Sequence, residues 1–388
     1  MADQPDRVYR LTRWQRLGIA AAILLGLALV GGSLFIWSGF YNVAASRDHF
    51  AITTWVLEVV RDQSIKARAE DIEAPPDLAD PNLIKLGAAH YAGACAFCHG
   101  TPGQPRNPIV ANMLPAPPDL STSYEYDPKE LYWIILHGLK YTGMPAWPGR
   151  GRGDEVWPLV ALVEYLKETR PDFPEELLGI RPEPGVSGAQ LAEGSDPGLL
   201  TNCVRCHGDE SHGPISTLIP LLHGQSPAYL ARALEEYRSS RRESGIMEPV
   251  AFALEPDDIE PLVEYYATMA PPPSPTPQQP PDSAAIARGA LIAARGLPQS
   301  QVPACLSCHG ANRNGTFPSL DGQPAAYLVS QLQLWKSGGR DETGYGAIMS
   351  VVANRLTTEQ IQDIAAYFQS RTPSPEDRPS VQPSGASP

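Results

Sequence analysis

The sequence predicts a mainly α-helical protein, in which an N-terminal transmembrane helix is followed by three small all-α domains. Three observations predict this fold: an uncharged apolar stretch near the N-terminus, a short cysteine motif that occurs three times, and an amphipathic helical pattern that closes each repeat. No run of alternating polar and apolar residues is strong enough to predict a sheet. The 41 prolines among 388 residues are clustered, which favours small compact units joined by extended linkers over one large core.

The apolar stretch runs from Leu17 to Ser46 without a charged residue, and about 20 apolar residues suffice to cross the hydrocarbon core as a helix. Four arginines precede it, so the positive-inside rule places the N-terminus in the cytoplasm and everything after Tyr41 on the other side of the membrane. The expected location is a bacterial inner membrane that the chain crosses once, with the part after Tyr41 in the periplasm. A cleaved signal peptide, with a small-residue cleavage site at residues 43–45, is the alternative. The four arginines are Arg7, Arg10, Arg13 and Arg16.

Proline-rich and polar segments separate three stretches, called repeats 1, 2 and 3 below, in which the same landmarks recur in order. Repeats 2 and 3 share C-x-x-C-H-G, P-x-L-x-G-Q, A-Y-L and a methionine before the closing helix, whereas repeat 1 lacks the middle landmarks. The predicted segments are 1–46, the cytoplasmic N-terminus and anchor; 47–79, an amphipathic helix ending near residue 69 and a linker; 80–170, repeat 1; 171–187, a linker; 188–270, repeat 2; 271–283, a Pro-rich linker; 284–371, repeat 3; and 372–388, a disordered tail.

All six cysteines belong to three copies of C-x-x-C-H, the pattern of covalent haem attachment. Two thiols three positions apart on a helical turn can add to the two vinyl groups of the porphyrin, and the adjacent histidine can then bind the iron. The sequence therefore predicts three covalently bound haem c groups. The motifs consist of Cys95, Cys98 and His99; Cys203, Cys206 and His207; and Cys305, Cys308 and His309.

Three other uses of the cysteine pattern fit less well. Disulfides are common outside the cytoplasm, but they do not need a His-Gly after each cysteine pair. A structural zinc ion needs four ligands, and three isolated motifs far apart in the chain make a poor set. A thioredoxin-like motif would lie in a βαβ context, which the sequence lacks.

The second axial ligand separates electron transfer from catalysis, because His with Met closes both faces of the iron whereas His alone leaves one face open. Met247 and Met349 each follow their motif histidine by 40 residues, and Met144 follows its histidine by 45, in the stiff sequence Gly-Met-Pro. These three methionines are the predicted distal ligands. Met113 is too near its motif in sequence, and Met269 ends a closing helix, so both are weaker candidates.

A ligating histidine normally donates its other ring N–H to a carbonyl oxygen, which fixes its orientation. By their position after each motif, Pro220, Pro318 and, in repeat 1, either Pro117 or Pro118 are candidate acceptors; a simple turn proline is the alternative for each of them. Four further histidines are predicted to be surface or core residues rather than ligands: His90, His137, His212 and His223.

Each repeat resembles a class I bacterial cytochrome c domain. Repeats 2 and 3 resemble periplasmic diheme cytochromes of the c-four type in their P-x-L-x-G-Q, A-Y-L and I-x-x-[LI]-x-x-Y-[YF] patterns. Repeat 1, with CAFCHG, APPDL and GMPAW, is similar to single-haem domains of membrane-bound respiratory complexes. The resemblance implies a mostly helical fold around each haem, six-coordinate iron and one-electron transfer. The loops around the methionines differ from those of the triheme subunits of alcohol and gluconate dehydrogenases.

The leading hypothesis is a membrane-anchored triheme electron carrier of a respiratory chain, not an enzyme. Expected partners are a quinol-oxidising complex or a dehydrogenase as donor, and a terminal oxidase or soluble cytochrome as acceptor. The alternatives are a cytochrome subunit of a periplasmic dehydrogenase that delivers electrons to quinone, and a haem enzyme such as a peroxidase. A net charge of −13 argues against nucleic acid as a partner. The 13 acidic and 5 basic residues of repeat 2 could steer a basic partner or simply be solvated.

Overall fold

The computed structural model is mainly helical, and none of the residues that it describes forms a β-strand, which confirms the predicted fold class. The chain divides into two compact units, residues 1–61 with 112–114 and residues 62–111 with 115–388. The predicted linker at 171–187, nearly all of the predicted tail, and two of the four arginines lie outside the described residues. The described residues are 12–101, 106–120, 125–169, 197–272, 282–310 and 315–372.

The first unit contains helix α1, Arg13–Trp37, whose 25 residues extend for about 37 Å. Thr12 caps its first turn, because the Gln15 N–H donates to the Thr12 hydroxyl and the Thr12 N–H donates to the Gln15 side chain. Its most apolar window has a mean hydropathy of 2.5, and none of that window is buried. By length and composition alone, α1 is able to cross a membrane.

Helix α2, Ala51–Ala69, ends where the amphipathic pattern predicts, and Ile65 and Ala69 of its last turns are buried in the second unit. The Tyr126 hydroxyl of repeat 1 donates to Asp62 near this end of the helix (2.8 Å). Repeat 1 consists of α3, Pro81–His90; a π-helical turn, Tyr91–Cys95; α4, Ala96–His99; α5, Pro108–Ala111; α6, Pro128–His137; a 3₁₀ turn, Gly153–Glu155; and α7, Trp157–Thr169.

Repeats 2 and 3 share an order of helices: one at or before the cysteines, a central one, one that includes the methionine, and a closing one. In repeat 2 these are α8, Pro197–His207; α9, Pro227–Arg238; α10, Met247–Phe252; and α11, Pro256–Thr268. In repeat 3 they are α12, Ser283–Arg295; a 3₁₀ turn, Pro298–Ser300; α13, Leu306–His309; α14, Ala325–Lys336; α15, Gly344–Asn354; and α16, Thr358–Ser370.

Local sequence explains where several of these helices begin. Before α6, the Asp127 carboxylate accepts from the N–H groups of Lys129 and Glu130, and Pro128 occupies the first helical position. Before α16, the Thr357 hydroxyl accepts from the third residue of the helix in the same way. These caps satisfy N–H groups that a helix leaves without partners at its start.

The buried apolar side chains form separate clusters, each drawn from a single repeat. In repeats 1 and 3, the helix that leads into the cysteines crosses the closing helix at a glycine. A Cβ on Gly87 would lie 2.0 Å from the Pro158 carbonyl oxygen, and one on Gly289 would lie 2.0 Å from the Asp363 carbonyl oxygen. Only glycine fits at these crossings, which fix the segment leading into each motif against the core.

Candidate haem sites

Of the six cysteines of the motifs, five are half-buried and Cys308 is exposed. Within the described residues, no disulfide joins two of them, and no group of three or more histidine, cysteine or acidic side chains is placed to hold a metal ion. Burial raises the pKa of Cys95 to about 11 and that of Cys203 to about 12, so both are protonated at neutral pH. A structural zinc ion needs four ligands, and the described residues provide no such set around a motif.

Each motif histidine ends a helix and bonds through Nδ1 to a proline carbonyl oxygen, as the sequence predicts. Because a carbonyl oxygen can only accept, Nδ1 must bear the proton, and Nε2 keeps its lone pair for a metal. The three distances are 2.9 Å from His99 to Pro118, 3.1 Å from His207 to Pro220 and 2.9 Å from His309 to Pro318.

Two of these imidazoles are held neutral. Burial lowers the pKa of His99 and lowers that of His207 to about 4, although the hydrogen bond to the proline carbonyl opposes this in each case. Neutral imidazole is the form that binds iron. In repeat 1, the Arg106 guanidinium donates to the Pro117 carbonyl (2.5 Å), which leaves the Pro118 carbonyl for His99.

The three methionines predicted as distal ligands occupy different local structures, and all are half-buried. Met144 lies in an extended loop, where its N–H donates to the Thr142 hydroxyl (3.1 Å) and its carbonyl accepts from the Leu139 N–H (3.2 Å). Met247 begins α10, and Met349 lies in the middle of α15. These two line the same cavity as the motif histidines of repeats 2 and 3, whereas Met144 is not among its lining residues.

This cavity has a volume of about 630 Å³. Its wall includes both cysteines, the histidine and the methionine of repeat 2, and the same four residues of repeat 3, among largely apolar side chains. The structure therefore brings the predicted haem-binding residues of repeat 2 and those of repeat 3 to the same cavity. A porphyrin needs apolar faces, two thiols for its vinyl groups and an imidazole nitrogen for its iron, and this donor set supplies them.

Two arginines that the sequence analysis did not single out also line the cavity: Arg242 and Arg340. Arg242 stacks on the Tyr237 ring at 4.4 Å and Arg340 on the Trp335 ring at 4.2 Å. Burial would raise the pKa of Tyr229 between them, yet the two guanidiniums lower it overall. Neither arginine forms an ion pair with a carboxylate in the part of the chain that the structure describes. Haem has two propionate carboxylates, which match these positive charges.

Two tyrosines hold the glycine that follows the motif histidine. The Tyr91 hydroxyl donates to the Gly100 carbonyl (2.5 Å), and the Tyr266 hydroxyl donates to the Gly208 carbonyl (3.0 Å). In repeat 3 the matching residue of the closing helix is Phe368, which has no hydroxyl. The Y-[YF] pattern of the closing helices shows that tyrosine is replaced by phenylalanine in repeat 3. Only the structure shows that this tyrosine hydroxyl bonds to the backbone next to the motif histidine.

The two glutamines of the repeated P-x-L-x-G-Q landmark pair repeats 2 and 3 reciprocally. The Gln225 amide donates to the Ser319 carbonyl (2.8 Å) and accepts from the Ser319 N–H (2.9 Å). Gln323 makes the same two bonds with Leu221, at 2.7 and 3.0 Å. Ser319 and Leu221 directly follow the prolines that orient the motif histidines. Each repeat therefore supports the histidine-orienting segment of the other.

The four histidines weighed above as other possible ligands lie in the core or at the surface, as the sequence predicts. His90 is 5% exposed, burial lowers its pKa to about 3, and its Nδ1 has no partner among the described residues. His223 is also buried, and its Nε2 donates to the Asp209 carbonyl (2.9 Å). His137 and His212 are exposed.

Known proteins resemble this chain both in its parts and over longer stretches. The family model for the cytochrome c oxidase, cbb3-type, subunit III matches residues 82–165, and the model for cytochrome c matches residues 286–372. The thiosulfate dehydrogenase electron acceptor of Thiomonas intermedia is 34% identical over 182 residues, which are 46% of this chain and 82% of that protein. Cytochrome c4 of Thiocapsa roseopersicina is 29% identical over 48% of this chain and 94% of its own length. Among solved structures, the thiosulfate dehydrogenase TsdBA from Marichromatium purpuratum is 36% identical, with a TM-score of 0.41 over 48% of this chain and 40% of its own.

The family models match repeats 1 and 3, and the histidine of repeat 2 has the same bond to a proline carbonyl as theirs. The match to the Thiomonas protein spans 46% of this chain and 82% of that protein, so it extends well beyond a single motif. This chain belongs to the cytochrome c family of electron carriers, in which the haem is covalently attached.

Proposed function

We propose that this chain is a membrane-anchored triheme cytochrome that passes single electrons between respiratory-chain components on the periplasmic side of a bacterial inner membrane. The observation that supports it most is the threefold occurrence of a C-x-x-C-H segment whose histidine is bonded through Nδ1 to a proline carbonyl. Three such histidines offer three Nε2 atoms to three irons. The length and apolar composition of α1 support the anchor.

In this proposal, each repeat attaches one haem through two thioethers and binds its iron with one histidine and one methionine. When bound, the haem supplies an iron that gains and loses one electron. A histidine and a methionine would both hold the iron, so no position would be left for a substrate and no catalytic residue would be needed. In repeats 2 and 3, apolar side chains would surround the haem, and Arg242 and Arg340 would place positive charge at the cavity wall. The proposed ligand pairs are His99 with Met144, His207 with Met247 and His309 with Met349.

The proposed haem domains coincide with the repeats, at residues 80–170, 188–270 and 284–371. Support comes from the clusters of buried side chains, each of which draws on one repeat only. A unit of about ninety residues has a thin core of its own, so a bound haem would supply much of the filling. We therefore expect folding and haem attachment to be coupled.

Haem counting tests the proposal. The full chain, purified from membranes, should contain three haems by its alkaline pyridine spectrum and by intact mass, and should titrate as three one-electron centres. Replacing both cysteines of one motif by alanine should remove one haem per motif, for each of the three motifs in turn. A wild-type protein with two haems or fewer would contradict the proposal. Release of the chain into the soluble fraction on removal of residues 1–46 would support the anchor.

A second, more specific role is supported by the Thiomonas relative, which is named as the electron acceptor of a thiosulfate dehydrogenase. This chain would then accept electrons from a periplasmic dehydrogenase. The match of residues 82–165 to a cbb3-type oxidase subunit supports an oxidase as the next acceptor. Stopped-flow mixing with a thiosulfate dehydrogenase and thiosulfate, and separately with a quinol-oxidising complex, distinguishes the donors. Reduction by the second donor alone would exclude the dehydrogenase role.

A further inference from the structure

The loop containing Met144 in repeat 1 packs directly against the loop of repeat 2 that leads into Met247, the first residue of α10, and that is called the loop of Met247 below. A Cβ on Gly245 would lie 2.2 Å from Trp147 Nε1, and one on Gly149 would lie 2.4 Å from the Gly245 nitrogen. Trp147 follows Met144 by three residues, and Gly245 precedes Met247 by two. The two segments that contain proposed distal ligands therefore share a contact at which only glycine fits.

A buried carboxylate, that of Glu155, lies at this contact and is 6% exposed. From repeat 1 it accepts a hydrogen bond from Trp147 Nε1 (3.1 Å), and Arg152 Nη2 lies 2.8 Å from its Oε1. From repeat 2 it accepts from the Gly245 N–H (2.7 Å) and from the Ser244 hydroxyl (2.6 Å). Four donors thus surround two oxygens, two donors from each repeat.

The bonds from Glu155 continue to the start of helix α10. The Ser244 hydroxyl, which donates to Glu155, also accepts from the Met247 N–H (3.0 Å). Arg152, the cationic partner of Glu155, donates to the Glu243 carbonyl on the same loop (2.7 Å). The backbone around Met247 is therefore held by two side chains of repeat 1.

The position of Glu155 is costly unless both loops are in place. Burial raises the pKa of Glu155 to about 7, while Arg152 and the Ser244 hydroxyl lower it. A buried carboxylate that loses its donors is strongly destabilising, so removing either loop would leave this charge without half of its partners. The same carboxylate thus makes the position of each loop depend on the other.

We propose that Glu155 is a positioning residue for both distal methionines, joining the loops of Met144 and Met247 into one junction between the first two haem sites. The proposal rests on the ligand pairs proposed above. Electron exchange between repeats 1 and 2 would then depend on a contact between their methionine loops, and loosening it would disturb two sites together.

The test compares the haem-loaded Glu155→Ala variant with wild type and with Asp363→Asn. Asp363 is a matched control, since it is 4% exposed and paired with Arg288 at 2.6 and 2.7 Å, but it lies in repeat 3. In Glu155→Ala, the hydrogen-exchange rate should rise at least tenfold both in peptides from 139–149 and in peptides from 241–248. In Asp363→Asn, it should rise in neither segment. A rise confined to one of these two segments, or no rise, would overturn the junction.

Carbon monoxide binding to the reduced proteins is the second measurement. It would not change if Glu155 had only a local structural role. Wild type should bind none, and Glu155→Ala should bind at two haems of three; binding at fewer than two overturns the proposal. If Glu155→Ala does not fold, Gly245→Ala replaces it, because its methyl group displaces Trp147 without changing charge, and the same two outcomes apply. Carbon monoxide binding by wild type would instead contradict the ligand pairs themselves.

Discussion

Replacing Gln323 by leucine tests whether the reciprocal pairing of repeats 2 and 3 stabilises the protein. Gln323 is 3% exposed and makes two hydrogen bonds to the backbone of Leu221, which is itself 8% exposed. Leucine would leave the Leu221 N–H and carbonyl without partners. Each orphaned buried group costs roughly 1–3 kcal/mol, and some water can return at the cavity wall, so we expect a loss of about 2–4 kcal/mol in the free energy of unfolding.

The effect should also appear in the partner repeat. Leu221 follows Pro220, whose carbonyl orients His207, so a substitution in repeat 3 should perturb the haem site of repeat 2. By the same reasoning, Gln225→Leu should cost a similar amount and perturb the haem site of repeat 3. This crosswise pattern separates loss of the pairing from a general loss of packing.

The assay is guanidinium unfolding of the haem-loaded protein, followed by circular dichroism and by the haem absorption. Gln369→Leu is the matched control, since Gln369 is exposed and makes one hydrogen bond, to the Ala325 N–H (2.7 Å). Its replacement should cost less than about 0.5 kcal/mol, as is usual for surface positions. The reasoning is wrong if Gln323→Leu costs no more than Gln369→Leu, or if its spectral change is confined to repeat 3.

Three further substitutions probe other parts of the structure. Met144→Ala should leave haem attached through Cys95 and Cys98 but lower the potential of one haem and allow it to bind carbon monoxide. Met144 is excluded as a ligand if the variant binds no more carbon monoxide than wild type. It is also excluded if the control Met113→Ala has an equal effect. Gly289→Val should destabilise the protein by about 3 kcal/mol, because its Cβ would lie 2.0 Å from the Asp363 carbonyl oxygen. The control Gly344→Ala should not lower the melting temperature, because no atom lies within 4 Å of the added Cβ. His90 takes up a proton near pH 6.5 when unfolded but only at about pH 3 when folded, so its contribution to stability is lost as pH falls through this window. Between pH 7 and pH 5 this loss is about 2 kcal/mol, and a His90→Phe variant that keeps the same pH dependence as wild type would refute it.

Sequence and structure agree best where a motif has a local cause. The three motif histidines and their proline carbonyls follow from spacing within a short stretch, as does the end of α2 at Ala69. The sequence alone could not choose between Pro117 and Pro118. The structure does, because the Arg106 guanidinium donates to the Pro117 carbonyl, a contact that depends on how the loop folds. Helical periodicity reports which face of a helix is buried, but not which partner covers it.

Residues that act between repeats could not be found in this way. The landmark containing Gln225 and Gln323 was visible as a repeat, yet a repeated glutamine is equally consistent with a turn within each unit. Glu155 has no sequence signal, because its role depends on a loop from another repeat. Arg242 and Arg340 each lie five residues after an aromatic residue on which they stack, but charged residues near helix ends are usually solvated.

Repeat 2 is the site most dependent on its neighbours. Its histidine is oriented by a segment that Gln323 of repeat 3 supports, and its methionine lies next to a loop that Glu155 of repeat 1 holds. Each of the outer repeats has one such dependence, on repeat 2 alone, in the bonds described above. If the proposed ligands His207 and Met247 are both held in place by other repeats, the potential of a haem bound in repeat 2 should respond to substitutions on either side. Electron transfer across the molecule should then be controlled there. Met144 differs from the other two methionines in its loop and in its distance from the motif histidine. This difference would then affect electron transfer chiefly through the contact between the Met144 loop and repeat 2.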